Sequence, residues 1–239
     1  GGKLTPRQKM VNLMYLVFVA MLAMNMSKEV LSAFGILNDK ITESNGIAEA
    51  RNQSAFDQLA QKAQDQPKQY GDKKAKVDKI RLICKDFYSY IETLKTQFTK
   101  DVERKEDGSL NFEAMDKGDA IDEYWFSGDR PSVKGTEFLK KLSSFTSQIK
   151  ATGGSSIVAA EMSKIEKRFA TNKVKTKDGN VPWLDYNYKG FPLIASITKL
   201  SQIQADIKTT ESDIISGMFQ SDLVAAASLT AYQPIVDPD

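Results

Sequence analysis

The most pronounced hydrophobic pattern in this chain is an uncharged run near its N-terminus. No charged residue occurs between Lys9 and Lys28, and residues 10–27 are mostly apolar. Eighteen helical residues extend about 27 Å, close to the ~30 Å hydrocarbon core of a bilayer. The pattern therefore predicts a transmembrane signal-anchor helix over residues 10–27, and we expect this helix to continue past Lys28 without a break.

The charges that precede this run predict its orientation. Lys3, Arg7 and Lys9 precede it without any acidic residue, which places residues 1–9 in the cytoplasm by the positive-inside rule. A cleavable signal peptide has a similar charge layout, but the run is longer than a usual signal-peptide core and lacks a clear small-x-small cleavage site. We expect an uncleaved, single-pass membrane anchor with most of the chain outside the cytoplasm.

Downstream of the anchor, apolar residues recur at spacings of three and four, the pattern of amphipathic helices in a bundle. It predicts helices over about 29–64 and 73–105, and a long helix from Leu193 toward Leu223. Two shorter helices are separated by Gly153-Gly154. The predicted fold class is all-α, with a single N-terminal transmembrane helix followed by a helical bundle that contains long helices.

The domain limits follow from these patterns. The bundle is predicted over residues 28–228. Residues 229–239 contain two X-Pro pairs, which favour extended backbone. We interpret this segment as the start of a truncated further domain.

Two glycines interrupt the first helix of the predicted bundle. Gly35 and Gly46 each cost about 1 kcal/mol relative to alanine in a helix interior. They are interpreted either as hinges just outside the membrane or as points of close packing, and the sequence leaves both open.

Aromatic residues cluster in the longest break between helices, where Asp178-Gly179 also indicates a turn. They could form a partner-binding patch, but capping the end of the bundle is the favoured interpretation. The cluster contains Trp183, Tyr186, Tyr188 and Phe191.

Composition narrows the possible chemistry. The chain contains no histidine, so histidine-based triads, zinc sites and proton relays are excluded. Its only cysteine, Cys84, is at an apolar helical position and is expected to be a small buried residue. Acidic and basic residues nearly cancel and are interspersed, so no nucleic-acid surface is indicated. No phosphate-binding or catalytic motif is present, and we predict neither an enzyme nor a bound cofactor.

Polar residues within the predicted anchor indicate that it is surrounded by other helices. Arg7, Asn12 and Tyr15 lie at or just inside its cytoplasmic boundary, where a polar group usually faces protein or a water-filled cavity. Small residues form a seam that would permit close helix approach, comprising Ala20, Ala23 and Ser27.

The residues GGKLTPRQKMVNLMYLVFVAMLAMNMSKEVLSAFGILNDKITESN closely resemble the N-terminus of the GldM/PorM family of the type IX secretion and gliding motility machinery. The later segment FPLIASITKLSQIQADIKTTESDII is similar to the last long helix that precedes the family's β domains. Between these segments the resemblance is mainly one of helix order.

The resemblance implies a dimeric shaft within a rotary motor. Two copies of the anchor would sit inside a ring of five GldL-like multi-pass subunits that carry ionisable residues in the membrane. Protons would be the coupling ion, through that partner subunit. Torque would pass through the periplasmic domains, including downstream domains that this chain lacks, toward outer-membrane components of the secretion system.

The same resemblance implies that Arg7 is the fixed cation sought by a deprotonated carboxylate of the ring, with Tyr15 and Asn12 bridging by hydrogen bonds. A desolvated ion pair at ~4 Å is worth several kcal/mol. A membrane potential of about 150 mV supplies roughly 3.5 kcal/mol per charge. Because these energies are comparable, protonation could make and break the contact. The simpler interpretation is that Arg7, like Lys3 and Lys9, only signals topology.

A second function class stays open from the sequence. A single-pass helical sensor or adaptor ectodomain has the same layout, although only about nine residues precede the predicted anchor. A ligand-sized cavity lined by convergent polar groups would favour it.

Overall fold

A computed structural model of the protein describes Gln8, Met10, Met14, residues 27–177 and residues 179–230, with side chains of the last helix described as far as Met218. Within that part the chain is mostly helical, so the all-α fold class is confirmed. The helices are α1 (Lys28–Asp65), α2 (Pro67–Thr99), α3 (Asp119–Trp125), α4 (Val133–Gly153), α5 (Ala159–Arg168), α6 (Trp183–Tyr188) and α7 (Leu193–Thr230).

Short elements fill the connections between the helices. Single 3₁₀ turns occupy Phe112–Ala114 and Gly154–Ser156. Two small antiparallel hairpins, which the periodicity did not predict, pair β1 (Phe126–Ser127) with β2 (Arg130–Pro131) and β3 (Val174–Thr176) with β4 (Gly179–Val181). Gly179, of the turn predicted at Asp178-Gly179, lies in the second hairpin and has a φ of 124° that favours glycine, whereas Asp178 lies outside the described residues.

The expectation of a helix that continues past Lys28 without a break is wrong, because helix α1 begins at Lys28. Ser27 has extended backbone, with φ −65° and ψ 146°. Its hydroxyl accepts a hydrogen bond from the amide of Val30 at 3.4 Å. Serine is a favoured N-cap because its side chain satisfies an amide that has no partner in the first helical turn, and Glu29 suits the positive end of the helix dipole. Helix α1 therefore begins at Lys28 and does not include Ser27.

The predicted membrane anchor stays a prediction. Most of residues 10–27 lie outside the described residues. None of the helices in the part that is described combines the length and apolar character required to span a bilayer.

One other predicted boundary is also corrected. Helix α2 begins at Pro67 and ends at Thr99, about six residues earlier at each end than the 73–105 predicted from periodicity, because proline is well suited to the first helical position. Helix α7 reaches Thr230, and residues 231–239 lie outside the described residues, so the predicted domain limit at 228 stays a prediction.

The chain passes along the bundle five times. Helix α1 runs parallel to α7, as two contacts show. The Thr198 hydroxyl donates to the Phe34 carbonyl near the start of both helices, and the Asn52 side-chain amide donates to the Lys208 carbonyl farther along. Helix α2 runs antiparallel to both. Helix α4 returns in the direction of α1, since its first turn packs on α3 and the 3₁₀ turn that follows it approaches the start of α2. Helix α5 and the second hairpin then lead back toward the start of α7.

Two aromatic clusters stabilise the body of the bundle. Midway along it, the Phe87 ring lies 4.9 Å from the ring of Phe145 and 6.3 Å from that of Phe169. At the end where α1 begins, Trp125 is completely buried and stacks on Phe138 at 4.5 Å. Aromatic pairs at such distances add about 0.5–1.5 kcal/mol beyond burial alone.

The Trp125 cluster explains most of the predicted aromatic cap. The Tyr188 ring lies 4.8 Å from that of Trp125 and is buried, and the half-buried Trp183 ring contacts it at 5.9 Å. Tyr186 and Phe191 remain exposed, and the ammonium of Lys199 lies 3.8 Å from the centre of the Phe191 ring. Capping of the bundle is thus confirmed for Trp183 and Tyr188.

Cys84 is completely buried on α2, as expected for a small apolar residue. Burial raises the pKa of its thiol well above the usual value, and the nearby Glu211 carboxylate adds to the effect. The Cys84 side chain therefore stays in the thiol form, and the reactive thiolate does not form at neutral pH.

The two glycines of α1 have different surroundings, and the helix is continuous through both. A Cβ on Gly35 would lie 2.0 Å from the Phe112 ring, whereas one on Gly46 would meet no atom within 4 Å. Gly35 is therefore a point of close packing rather than a hinge.

We expect opposite effects from alanine at these positions. Gly46→Ala should raise the free energy of unfolding by about 0.5–1 kcal/mol, because it removes backbone freedom from the unfolded chain. Gly35→Ala should lower it by about 1–3 kcal/mol, because the Phe112 ring must move. Chemical denaturation of the two variants measures both values, and equal stabilisation by both would contradict the packing assigned to Gly35.

Candidate functional site

The most unusual feature of the described structure is the interface between the parallel helices α1 and α7, which we call the polar seam. Helix α1 presents buried residues at five positions spaced by seven, which are Leu31, Asn38, Asn45, Asn52 and Leu59. Helix α7 faces them with buried residues at the same spacing, which are Ile194, Ser201, Lys208 and Ile215. A repeat of seven is the pattern of parallel coiled coils, but the central positions here are polar instead of apolar.

Each asparagine of the polar seam bonds to α7. The hydroxyl of Ser201 donates to the Asn38 side-chain oxygen at 2.7 Å. The amide groups of Asn45 and Asn52 donate to the backbone carbonyls of Ser201 and Lys208, at 3.2 and 2.9 Å. Buried polar groups must be satisfied in this way, so the three contacts form a ladder along the helix pair.

A buried ion cluster extends this ladder. The ammonium of Lys208 lies 3.1 Å from the Glu211 carboxylate and 2.5 Å from that of Glu49 on α1. The amide of Asn52 donates to the same Glu211 oxygen at 3.3 Å. Glu211 is only 2% exposed, and the Lys208 ammonium also lies 4.8 Å from the centre of the Tyr88 ring on α2. The cluster thus connects all three long helices.

The pKa values in this cluster reflect burial and pairing. Burial raises the pKa of Glu211, and the opposing effects of Lys208 and Asn52 do not fully offset it. Burial alone would lower the pKa of Lys208, but hydrogen bonds and charge from Glu49 and Glu211 outweigh it, so that pKa is raised. The Lys208 side chain therefore remains charged at neutral pH.

A half-open cleft of about 720 Å³ lies over the cluster, between α1, α2 and α7. Its polar groups are largely paired with one another or with neighbouring side chains. Lys208 is paired as above, while Arg81 bonds to Gln53 and its guanidinium lies 4.3 Å from the centre of the Phe56 ring. Asp78 pairs with Lys74 at 2.5 Å. No cluster of acidic or cysteine residues suited to a metal occurs among the described residues.

The site residues predicted from sequence fall almost entirely outside this region. Arg7, Asn12, Tyr15, Ala20 and Ala23 lie outside the described residues, so their assigned roles remain predictions. The remaining member of the predicted seam of small residues, Ser27, is described and caps α1.

The polar seam was missed by the sequence analysis. Its signal is present in the sequence, as three asparagines at intervals of exactly seven residues within one predicted helix. A search for apolar periodicity does not detect it, because the residues that face the partner helix are themselves polar.

The family model described as the GldM N-terminal domain matches residues 29–221. The chain belongs to the GldM family. The match runs from the first turn of α1 to within α7 and includes the middle region, where the resemblance had rested on helix order alone. No curated protein matches the chain.

Membership of the GldM family associates the chain with the gliding motility and type IX secretion motor. The family is one of structural motor components and not a known family of enzymes. The features of this GldM domain that suit a part in the motor are its long helices and the contacts between them.

We expect the ion cluster of the GldM domain to be sensitive to the loss of its cation. Lys208→Met should lower the free energy of unfolding by about 3–5 kcal/mol, because it leaves the buried Glu211 carboxylate unpaired. The double variant Lys208→Met/Glu211→Gln should recover most of that loss. Thermal or chemical unfolding measures both.

Lys40→Met is the matched control, because its ion pair with Glu43 has the same spacing of three residues but is exposed and should contribute less than about 1 kcal/mol. Equal losses from Lys40→Met and Lys208→Met would contradict the importance assigned to the buried cluster.

Proposed function

We propose that this GldM chain is the dimeric, membrane-anchored shaft subunit of a proton-driven rotary motor that powers type IX secretion and gliding. Two copies of its anchor would stand inside a ring of five GldL-like subunits in the inner membrane. The helical domain would lie in the periplasm and pass torque toward outer-membrane components through domains that follow residue 230. Family membership supports the association with this motor.

The main observation that supports the proposal is that the two longest helices run parallel along the bundle. Helices α1 and α7 have 38 residues each, or about 57 Å at 1.5 Å per residue. They are parallel and packed side by side, so the chain enters the bundle at one end through α1 and leaves at the opposite end through α7. This arrangement suits a domain that transmits rotation along its axis.

Contacts along the helix pair also suit the proposed role. A single helix twists easily, but two helices joined at several levels must turn together. The polar seam joins α1 to α7 at three successive levels, and the ion cluster adds α2 at the level of Lys208. Torque delivered to α1 would therefore reach α7 through side chains distributed along the bundle.

The proposed engine is the contact between Arg7 and a membrane carboxylate of the ring subunit. A deprotonated carboxylate would pair with the guanidinium, and protonation would release it. Tyr15 and Asn12 would bridge to the ring by hydrogen bonds. The comparable energies of the ion pair and of one charge crossing the membrane potential support a cycle of this kind.

The experiment that tests this function replaces Arg7 in the full-length protein, in a gliding bacterium that lacks its own copy of the gene. We expect Arg7→Ala to abolish secretion and gliding while the protein stays in the membrane at its normal level and remains dimeric. Secretion assays, gliding assays and membrane fractionation measure these outcomes.

Lys9→Ala is the matched control, because Lys9 is assigned only to topology, and it should retain both activities. Normal secretion by Arg7→Ala would reject the proposed engine. Equal loss from both variants, with both proteins missing from the membrane, would assign Arg7 to topology alone.

A sensor or adaptor ectodomain is the alternative, and the cleft near Lys208 is the observation that favours it. Its volume of about 720 Å³ is within the range of small-molecule sites. Against it, Lys208, Arg81 and Asp78 already have partners within the protein. A thermal-shift screen with amino acids and dicarboxylates tests this alternative, which predicts a stabilising ligand whose effect is lost in Arg81→Ala.

A further inference from the structure

The asparagines of the polar seam occupy positions where leucine or isoleucine would bury more apolar surface. Asn38 is 8% exposed, Asn45 3% and Asn52 1%. At such coiled-coil positions a buried asparagine usually lowers stability but selects one register between the helices. Three of them in succession, flanked by Leu31 and Leu59 at the same spacing, need an explanation other than stability.

We propose that Asn38, Asn45 and Asn52 are positioning residues that fix the axial register of α1 on α7. This inference deepens the proposed function, because a shaft that slips along its own interface would convert applied torque into sliding. Its structural part, the fixed register, stands independently of the motor.

The register is selective because the facing groups of α7 differ along its length. The Asn38 oxygen takes the Ser201 hydroxyl, and the Asn52 amide takes the Glu211 carboxylate. A slip by one repeat of seven residues, about 10.5 Å at 1.5 Å per residue, would exchange these partners. In one direction it would place Leu59 beside the Glu211 carboxylate in place of Asn52, and in the other it would place Leu31 beside the Ser201 hydroxyl in place of Asn38.

An apolar seam would penalise such a slip far less. Leucine side chains at every seventh position present nearly the same surface after each repeat, so neighbouring registers would be close in energy. In the polar seam one asparagine would replace another at the middle levels, but at an end of the seam a leucine would face a buried polar group of α7, which would remain desolvated without its partner. The polar seam thus discriminates between registers through unsatisfied groups.

The experiment measures register directly in the full-length protein. Spin labels are placed on the exposed positions Ser44→Cys of α1 and Thr209→Cys of α7. Labelled chains are diluted with unlabelled copies, so that only distances within one chain are recorded. The native Cys84 is completely buried and should not take up label.

The test variant is Asn38→Leu/Asn45→Leu, and Gln58→Leu/Gln61→Leu at exposed positions of α1 is its matched control. We expect the test variant to broaden the label distance distribution, or to shift it by the amount that a slip of one seven-residue repeat, about 10.5 Å along the helix axis, produces. Its unfolding midpoint should be equal to or higher than that of the natural protein. Its secretion and gliding should fall at least fivefold, while the control changes none of these.

Three outcomes would overturn the inference. An unchanged, narrow distance distribution would mean that the asparagines do not set register. A lower unfolding midpoint would make them ordinary stabilising contacts. An altered distance distribution with normal secretion would mean that register does not matter to the motor. If the double variant fails to fold, Asn45→Leu alone is judged by the same measurements.

These outcomes remain distinct from failure of the proposed function. The label distances report on register whether or not the motor is proton-driven. Normal secretion by Arg7→Ala would reject the engine and leave the distance measurement fully informative.

Discussion

The parallel packing of α1 on α7 is the constraint from which the rest of the fold follows. Two parallel helices cannot be joined by a short loop, so the chain must return to its starting end before α7 can begin. Helix α2 makes the first return, α4 leads away again, and α5 with the second hairpin completes the second return. The intervening elements thus bring Leu193 to the end of the bundle where Lys28 begins, as the contact of Thr198 with Phe34 requires.

Stability and specificity are supplied by different parts of the molecule. The aromatic clusters around Phe87 and Trp125 bury large apolar surfaces between α2, α4 and the connecting segments. The polar seam contributes far less apolar burial and depends on exact pairing. A domain whose core already holds it folded can accommodate buried asparagines and a buried lysine, because the cost of those groups is small beside the burial elsewhere.

Much of the fold could be predicted from the sequence, because amphipathic periodicity is a local signal. It located the long helices and the buried position of Cys84. The Trp125 cluster was only partly foreseen, because its members come from α2, α3, α4 and α6, which are far apart in sequence. The break at Ser27 was missed because no glycine or proline marks it in the sequence. The polar seam was missed because apolar periodicity was the only signal used. Arg7 and Tyr15 were noted as polar residues of the predicted anchor, but their roles came from the family resemblance and depend on another chain.

The break at Ser27 has a mechanical consequence for any torque that reaches α1. Backbone hydrogen bonds do not continue through an extended residue, so rotation delivered there cannot pass along one uninterrupted helix. The first turns of α1 are instead braced by the segment after α2. Lys28 pairs with Glu113 at 3.4 Å, and the Phe112 ring packs against the bare backbone of Gly35. Because the ion pair is exposed and the ring contact is buried, most of the rigidity should come from Phe112 on Gly35. The transmission path proposed for this domain therefore starts at that contact and reaches α7 through the polar seam.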